Sequence, residues 1–400
     1  MTITEIEKSL AEQFKQVDEI SFYNQKKVID AFRSCRISTN MFAGTTGYGY
    51  DDKGRDTLCA LFAKVFGAEK GLVSPLLTCG THTISTALYG LLRPKEVLLS
   101  ISGDLYDTLE ETLLGKDNGS LEDFGVRYEK IDLKGDEFDF AKIEKAVKKF
   151  KPKVVFIQRS RGYSTRKALT VDEIGQAAQF VKKLSPNSFV VVDNCYGEFV
   201  EEKEPTQVCA DVIMGSLIKN AGGGLAPTGG YIVGSEKAIS LIEKRFTCPS
   251  LGMEVGSFEM GYRLFYQGLF MAPHVVAQAI KGSLLIGKVM EEKGYKAVPS
   301  TAEKSSDIIR SIFIGNEEGL IKFVQTVQKY SPVDSFVTPV PWDMPGYEDQ
   351  VIMAAGTFVG GASIEMSCDS PIRPPYVAYF QGALTYEHAK AVAEELQRLF

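Results

Sequence analysis

The sequence has no apolar run approaching the ~18 residues that a membrane-spanning helix needs, so no transmembrane helix is expected. It has no block of lysine and arginine. Acids and bases are interspersed and the net charge is −6, which argues against nucleic acid or a membrane as a partner. Only three histidines occur, and the seven cysteines (Cys35, Cys59, Cys79, Cys195, Cys209, Cys248 and Cys368) include no C-x-x-C pair. That spacing offers no zinc site, so no metal is expected. An odd, scattered set points to reduced thiols that pack as small hydrophobes, and hence to a cytoplasmic chain. The N-terminal "MTITEIEKSLAEQF" lacks the basic start and apolar core of a signal peptide. Internal repeats and low-complexity linkers are also missing.

What is present is a large apolar fraction, 44% of 400 residues, enough for an extended core in two domains with a terminal arm. In the arm, Ile6, Leu10, Phe14, Val17 and Ile20 recur at helical spacing through residues 1–33. A long loop rich in Gly, Thr and Asp follows at 34–56. From 57 the texture changes. Short apolar runs at 71–77, 96–102, 153–158, 189–194, 211–216 and 229–234 read as buried strands. Helical patterns at 81–92, 139–150 and 171–184 lie between several of them. Continuous β-branched runs alternating with helices predict a mostly parallel sheet covered on both faces, in a large domain over 57–245. A long helical region (254–294) and mixed strands and helices predict a smaller C-terminal α+β domain over 246–400. Its strand candidates include "SIFIGN", "FVTPVPW", "VIMAAGTFV" and "ASIEMSC".

Four features of the large domain fall where an α/β sheet presents its ligand crevice. Lys219 follows the run "DVIMGS", a junction where a lysine is a salt-bridge partner, a phosphate binder or an imine-forming nucleophile. Asp193 ends "FVVVD", where an aspartate either caps the next helix or contacts a ligand. Gly80 and Thr81, with His82 after them, open an apolar helical pattern; they form either an ordinary N-cap or an anion cup of free N–H groups. Tyr106 follows the run at 96–102, where an aromatic ring can stack on a planar group. The glycine-rich "AGGGLAPTGG" lacks G-x-G-x-x-G at a strand-to-helix turn and reads as a close-packed turn beside the site that leaves clearance for a bound planar group.

In that order along one domain, the anion cup, aromatic, aspartate and lysine resemble the fold-type I (aminotransferase-like) pyridoxal phosphate enzymes. The chain looks most like the Cys/Met metabolism group of cystathionine lyases and methionine γ-lyase. "VVDNCYG" resembles that group's aspartate segment and "SLIKN" its lysine segment. More narrowly it resembles the branch called methionine γ-lyase-like or "aluminium resistance" proteins. The resemblance implies a mostly parallel seven-stranded sheet and pyridoxal 5'-phosphate as cofactor. It implies that Lys219 forms the Schiff base, Ser216 and the Gly80–Thr81–His82 turn hold the phosphate, Asp193 meets the ring nitrogen, and Tyr106 stacks on the ring. Tyr48, Tyr50 and Arg55 then reach a neighbouring subunit's phosphate, and Arg373 binds the substrate carboxylate. The chain is thereby expected to be a homo-oligomer, a dimer or a tetramer, with 1–56 as arm and inter-subunit loop.

The match is uneven. The family's early Tyr–Ser–Arg signature is absent, and Ile218 replaces a hydroxyl residue. Gln158, Arg159 and Arg161 all stand where the family touches the ring hydroxyl. The activity implied is carbon–sulfur bond cleavage of cystathionine, cysteine or methionine by β- or γ-elimination. The alternatives are transamination, aldol cleavage, or cofactor binding without turnover.

Overall fold

The computed structural model describes residues 1–344 and 347–400. Two helices, α1 (Ile3–Ser9) and α2 (Ala11–Ser34), form the arm, and α3 (Lys53–Val65) follows the loop. The large sheet then takes β1 (Lys70–Ser74), β2 (Val97–Ser100), β3 (Arg127–Lys130), β4 (Val154–Gln158), β5 (Phe189–Asp193), β6 (Val212–Ser216) and β7 (Gly230–Gly234). Its helices are α4 (Gly80–Leu91), α5 (Asp107–Leu113), α6 (Phe140–Phe150), α7 (Val171–Leu184) and α8 (Glu236–Phe246).

The strand order is β1-β7-β6-β5-β4-β2-β3. Strands β2 to β6 are parallel, and β7 runs antiparallel to both β6 and β1. Strands β4, β5 and β6 are buried at every position, as expected for strands with helices on both faces. The helices start where side chains satisfy their free N–H groups. Thr170 and Glu173 make a reciprocal capping box on α7, and Asp52 caps α3.

The 30-residue α9 (Arg263–Glu292) connects this domain to a second, fully antiparallel sheet. By length and composition α9 is apolar enough to cross a membrane, yet most of it is buried inside the protein. The second sheet contains β8 (Lys296–Val298), β9 (Ile309–Phe313), β10 (Val351–Ala354), β11 (Ser367–Pro371) and β12 (Val377–Gln381), in the order β10-β11-β12-β9-β8. Helices α10 (Glu317–Lys329) and α11 (Tyr386–Leu399) complete it. One hydrophobic cluster runs from β5 and β6 through α9 into β9 and β12, so the two sheets share a core.

Three expectations are corrected. The helix begins at Arg263, not near 254. "FVTPVPW" forms no strand; Pro339 and Pro341 interrupt it, and Phe336 is 86% exposed. The glycines after Lys219 pack on α9: a Cβ on Gly223 would lie 2.3 Å from the Gly268 carbonyl oxygen. Close approach to a helix, not clearance for a ligand, is what Gly223 is needed for.

Candidate functional site

The carboxyl ends of β4, β5 and β6 lie side by side and set the site. Gln158 pairs in register with Asp193, and Asp193 with Met214, two residues before Ser216. The N-terminus of α4 meets them. A Cβ on Gly80 would lie 3.6 Å from Ser216 Cβ and 3.9 Å from Cys195 Sγ. The N–H groups of Gly80 and Thr81 fall in the first turn of α4, where no bond within the helix can satisfy them.

Lys219 follows β6 and starts a tight turn over Asn220–Gly222. Its Nζ sits 4.1 Å from the centre of the Tyr196 ring. Burial opposes the lysine's charge, but Cys195, Tyr196 and Asp193 outweigh that and raise its pKa above the ordinary value. Tyr196 holds φ at +71°, a backbone state that non-glycine residues rarely adopt and that recurs at functional sites. Asp193 is buried, and its Oδ1 accepts the Cys195 N–H at 3.1 Å.

Two buried polar atoms beside these groups have no partner among the described residues: Ser216 Oγ and Gln158 Oε1. The two other candidates for the Gln158 role are committed elsewhere. Arg159 donates to Asn194 Oδ1 and to Glu201 Oε1, both at 2.8 Å. Arg161 donates to the Val298 carbonyl at 2.7 Å and pairs with Asp307.

The remaining predicted residues are spread around this centre. The Thr81 hydroxyl lies 3.1 Å from that of Thr108. The His82 N–H donates to Cys79 Sγ at 3.3 Å, and its Nδ1 accepts the Thr78 N–H, so both are occupied by helix capping. Tyr106 precedes α5, with its hydroxyl 3.0 Å from that of Tyr347. Tyr163 packs beside both, with ring centres 6.2 Å and 5.6 Å away. Burial pushes the Tyr106 and Tyr163 hydroxyls well above their ordinary pKa. The three tyrosines line a cleft of about 1000 Å³ together with Gln158 and Arg373. Arg373 is half-exposed at its mouth and pairs with Asp349 at 2.9 Å. Tyr48 and Tyr50 stack on each other in solvent. Arg55 points inward at 4% exposure and donates to the Gly49 carbonyl and Asp56.

The family model for methionine gamma-lyase matches residues 1–400. The chain belongs to the methionine gamma-lyase family. Within reach of this family member is YnbB of Bacillus subtilis (strain 168), 49% identical over 97% of this chain and 93% of that protein. A solved carbon–sulfur lyase involved in aluminum resistance, from Clostridium novyi NT, is 45% identical. It covers 100% of this chain and 95% of its own with a TM-score of 0.95. The pyridoxal-5'-phosphate dependent protein YhfS from Escherichia coli is 14% identical, covers 96% of this chain and 97% of its own, and superposes with a TM-score of 0.63. That last likeness is one of fold: the methionine gamma-lyase family chain has the fold-type I arrangement with a second, small antiparallel sheet.

Sequence reasoning missed several groups that this geometry brings in. Cys195 and Tyr196 lie two and three residues past Asp193, and their proximity to Lys219 was readable from the strand end alone. Asp369 on β11 was not readable, because the second domain supplies it. Its Oδ2 accepts from Gln381 Nε2 at 3.0 Å, and its charge is felt by Lys219, Tyr106 and Tyr163.

Proposed function

We propose that this protein is a pyridoxal 5'-phosphate-dependent carbon–sulfur lyase that cleaves a sulfur amino acid by β- or γ-elimination. The observation that carries the reading is the set of unsatisfied polar groups around Lys219. A buried hydroxyl or amide oxygen without a partner costs about 1–3 kcal/mol, and Ser216 Oγ and Gln158 Oε1 are both without one, at the carboxyl ends of β6 and β4. The cofactor fits these vacant valences. Ser216 Oγ and the open N–H groups of Gly80 and Thr81 would hold its phosphate, aided by the helix dipole. Asp193 would meet the ring nitrogen, Gln158 the ring hydroxyl, and Tyr106 a ring face. Lys219 would carry the aldehyde carbon.

Bound there, the cofactor supplies an electron sink for charge developing at Cα. The protein supplies proton handling and orientation. Lys219 Nζ would be the base that takes the Cα proton. Tyr106 and Tyr163, held protonated by burial, are hydroxyl donors for the departing sulfur. Arg373 at the cleft mouth would hold the substrate carboxylate after exchanging Asp349 for it. In β-elimination the C–S bond breaks, sulfur leaves with the electron pair and gains a proton, and one water is consumed in releasing ammonia and pyruvate. γ-Elimination needs a second deprotonation, at Cβ.

The reading includes a homo-oligomer. The exposed Tyr48–Tyr50 pair is what a neighbour's phosphate site would accept, whereas Arg55 is held within its own loop. Sedimentation at working concentration tests this, and a fully active monomer would refute it. For the cofactor, borohydride reduction followed by peptide mapping should find a pyridoxyl group on Lys219 and none in Lys219→Ala. A panel of sulfur amino acids scored for thiol and keto acid then tests the reaction. A wild-type protein that takes up no pyridoxal phosphate defeats the proposal.

A further inference from the structure

We propose that Tyr196 is the positioning residue of Lys219: the face of its ring holds the Lys219 amine as an ammonium, which makes the lysine a stronger base and slows its bonding to the cofactor. The part that concerns turnover rests on the lyase reading.

Lys219 makes no ion pair among the described residues. Its Nζ lies over the Tyr196 ring instead, 4.1 Å from the ring centre, where a cation–π contact is strong. The titratable groups around the amine come from two places. Asp193 ends β5 and Cys195, Tyr196 and Glu198 follow it in the turn, while Asp369 acts from β11. The carboxyl groups are bonded to other partners: Asp193 to the Cys195 N–H, Glu198 to the Tyr231 hydroxyl and Asp369 to Gln381. Burial pushes the Cys195 thiol well above its ordinary pKa, so it carries no charge at neutral pH. The group that faces the amine directly is the ring.

The backbone pays for that placement in conformation. Tyr196 holds φ at +71°, a state that glycine adopts without strain and a bulky residue does not. An aromatic kept at such a position points to a use for its side chain. The second domain anchors it. The Tyr196 carbonyl accepts the Ile308 N–H at 3.2 Å, and the ring packs against Ile309, Val377 and Tyr379 of β9 and β12. The ring therefore touches both the second sheet and the Lys219 amine. Asn220, the residue after Lys219, donates to the Glu198 carbonyl at 3.1 Å and ties the two turns together.

A ring that favours the ammonium has two opposite effects. Bonding to the aldehyde carbon needs the neutral amine: Nζ first gives one proton to solvent, then condenses with release of the aldehyde oxygen as water. The ring slows that step at neutral pH. Toward the Cα proton the same preference makes Nζ the better acceptor, and the ring then holds the ammonium that results. A lesion that merely loosened the turn would slow both steps. Loss of the ring should separate them.

The test mixes cofactor-free protein with pyridoxal 5'-phosphate at pH 7 and follows uptake by stopped-flow absorbance. It then measures kcat and KM of the loaded protein with cystathionine. Tyr196→Leu should take up the cofactor about tenfold faster than wild type and turn over about tenfold more slowly, with KM unchanged. Tyr196→Phe keeps the ring and should stay within about threefold of wild type in both. Slower uptake by Tyr196→Leu overturns the proposal, and so does a Tyr196→Phe protein that behaves like Tyr196→Leu, because the hydroxyl would then be the holding group. If Tyr196→Leu folds poorly, wild type alone decides. Its uptake rate should climb with pH through about 9, and a plateau below about pH 8 would mean a neutral amine and overturn the proposal. If uptake responds as expected but neither cystathionine nor S-methylcysteine releases thiol, the hold of Tyr196 on Lys219 stands and the lyase reading fails.

Discussion

Glu198 gives the sharpest stability prediction. It lies in the turn after β5 with no exposed surface; its Oε1 accepts from the Tyr231 hydroxyl at 2.7 Å and its Oε2 has no partner. Burial pushes its pKa from 4.5 to about 8, against the Tyr231 hydrogen bond and the Lys219 charge. A carboxyl with a raised folded pKa favours folding while protonated. Its contribution is complete below pH 4.5 and is lost as pH rises through about 8. A shift of about 3.5 units corresponds to about 5 kcal/mol at 1.36 kcal/mol per unit. Glu198→Gln keeps an acceptor for Tyr231 and cannot ionise. The two proteins should therefore melt together at pH 5, and the variant should melt higher at pH 9. For a chain this long, about 5 kcal/mol moves the midpoint by about 6 °C. Thermal midpoints of both proteins, taken by circular dichroism from pH 5 to pH 9, measure the gap. Parallel curves across that range would refute the argument, because they would mean that Glu198 ionises at the same pH in the folded and unfolded states.

Three further outcomes follow from the same geometry. Arg159→Met removes the cation bonded to Asn194 and Glu201 and leaves the buried Glu204 uncompensated, so it should cost about 3–5 kcal/mol by chemical denaturation. Ser216→Ala should leave the stability of the cofactor-free protein unchanged or slightly higher, since the hydroxyl has no partner there, yet weaken pyridoxal phosphate binding about tenfold or more in a titration. Gly230→Ala would place a Cβ 2.0 Å from Thr83 Oγ1 and should destabilise by about 1–3 kcal/mol; adding Thr83→Ala should restore part of that loss in a double-mutant cycle.

The central strands were readable because burial on both faces demands unbroken apolar runs, and β4, β5 and β6 have them. Strand β3 was not readable: it sits at the sheet edge as "RYEK", with both ends exposed, so no hydrophobic pattern is required of it. Strand β11, "SCDSP", has poor strand propensity and is fixed by β10 and β12 on either side. The candidate site divides the same way. Lys219, Asp193 and Ser216 are strand-end residues whose direction follows from the sheet. The inward turn of Arg55 depends on how a loop folds on itself, through Asp52 and Gly49, and no local pattern encodes it. Gln158 could be separated from Arg159 and Arg161 only once their ion partners, up to 146 residues away, were in place.

Those partners also explain why so many charged groups sit behind the site. Arg159, Asn194 and Glu204 form a buried chain immediately under Asp193, with Asn194 donating to Glu204 at 3.0 Å. Gly197 is required there, because a Cβ would lie 2.5 Å from the Arg159 guanidinium. A buried ion network of this kind rarely adds net stability compared with apolar packing. What it does add is position: the turn from Asn194 to Glu201 is pinned at both ends, and that turn aims Cys195 and Tyr196 at Lys219. The arm reinforces it from outside, where Asn24 donates to the Phe199 and Glu201 carbonyls. These contacts predict an asymmetry between the body of β5, apolar on both faces, and the turn that follows it. Changes in the apolar body should lower stability and spare the site. Changes in the ionic layer should also displace Tyr196 and, through it, the amine of Lys219.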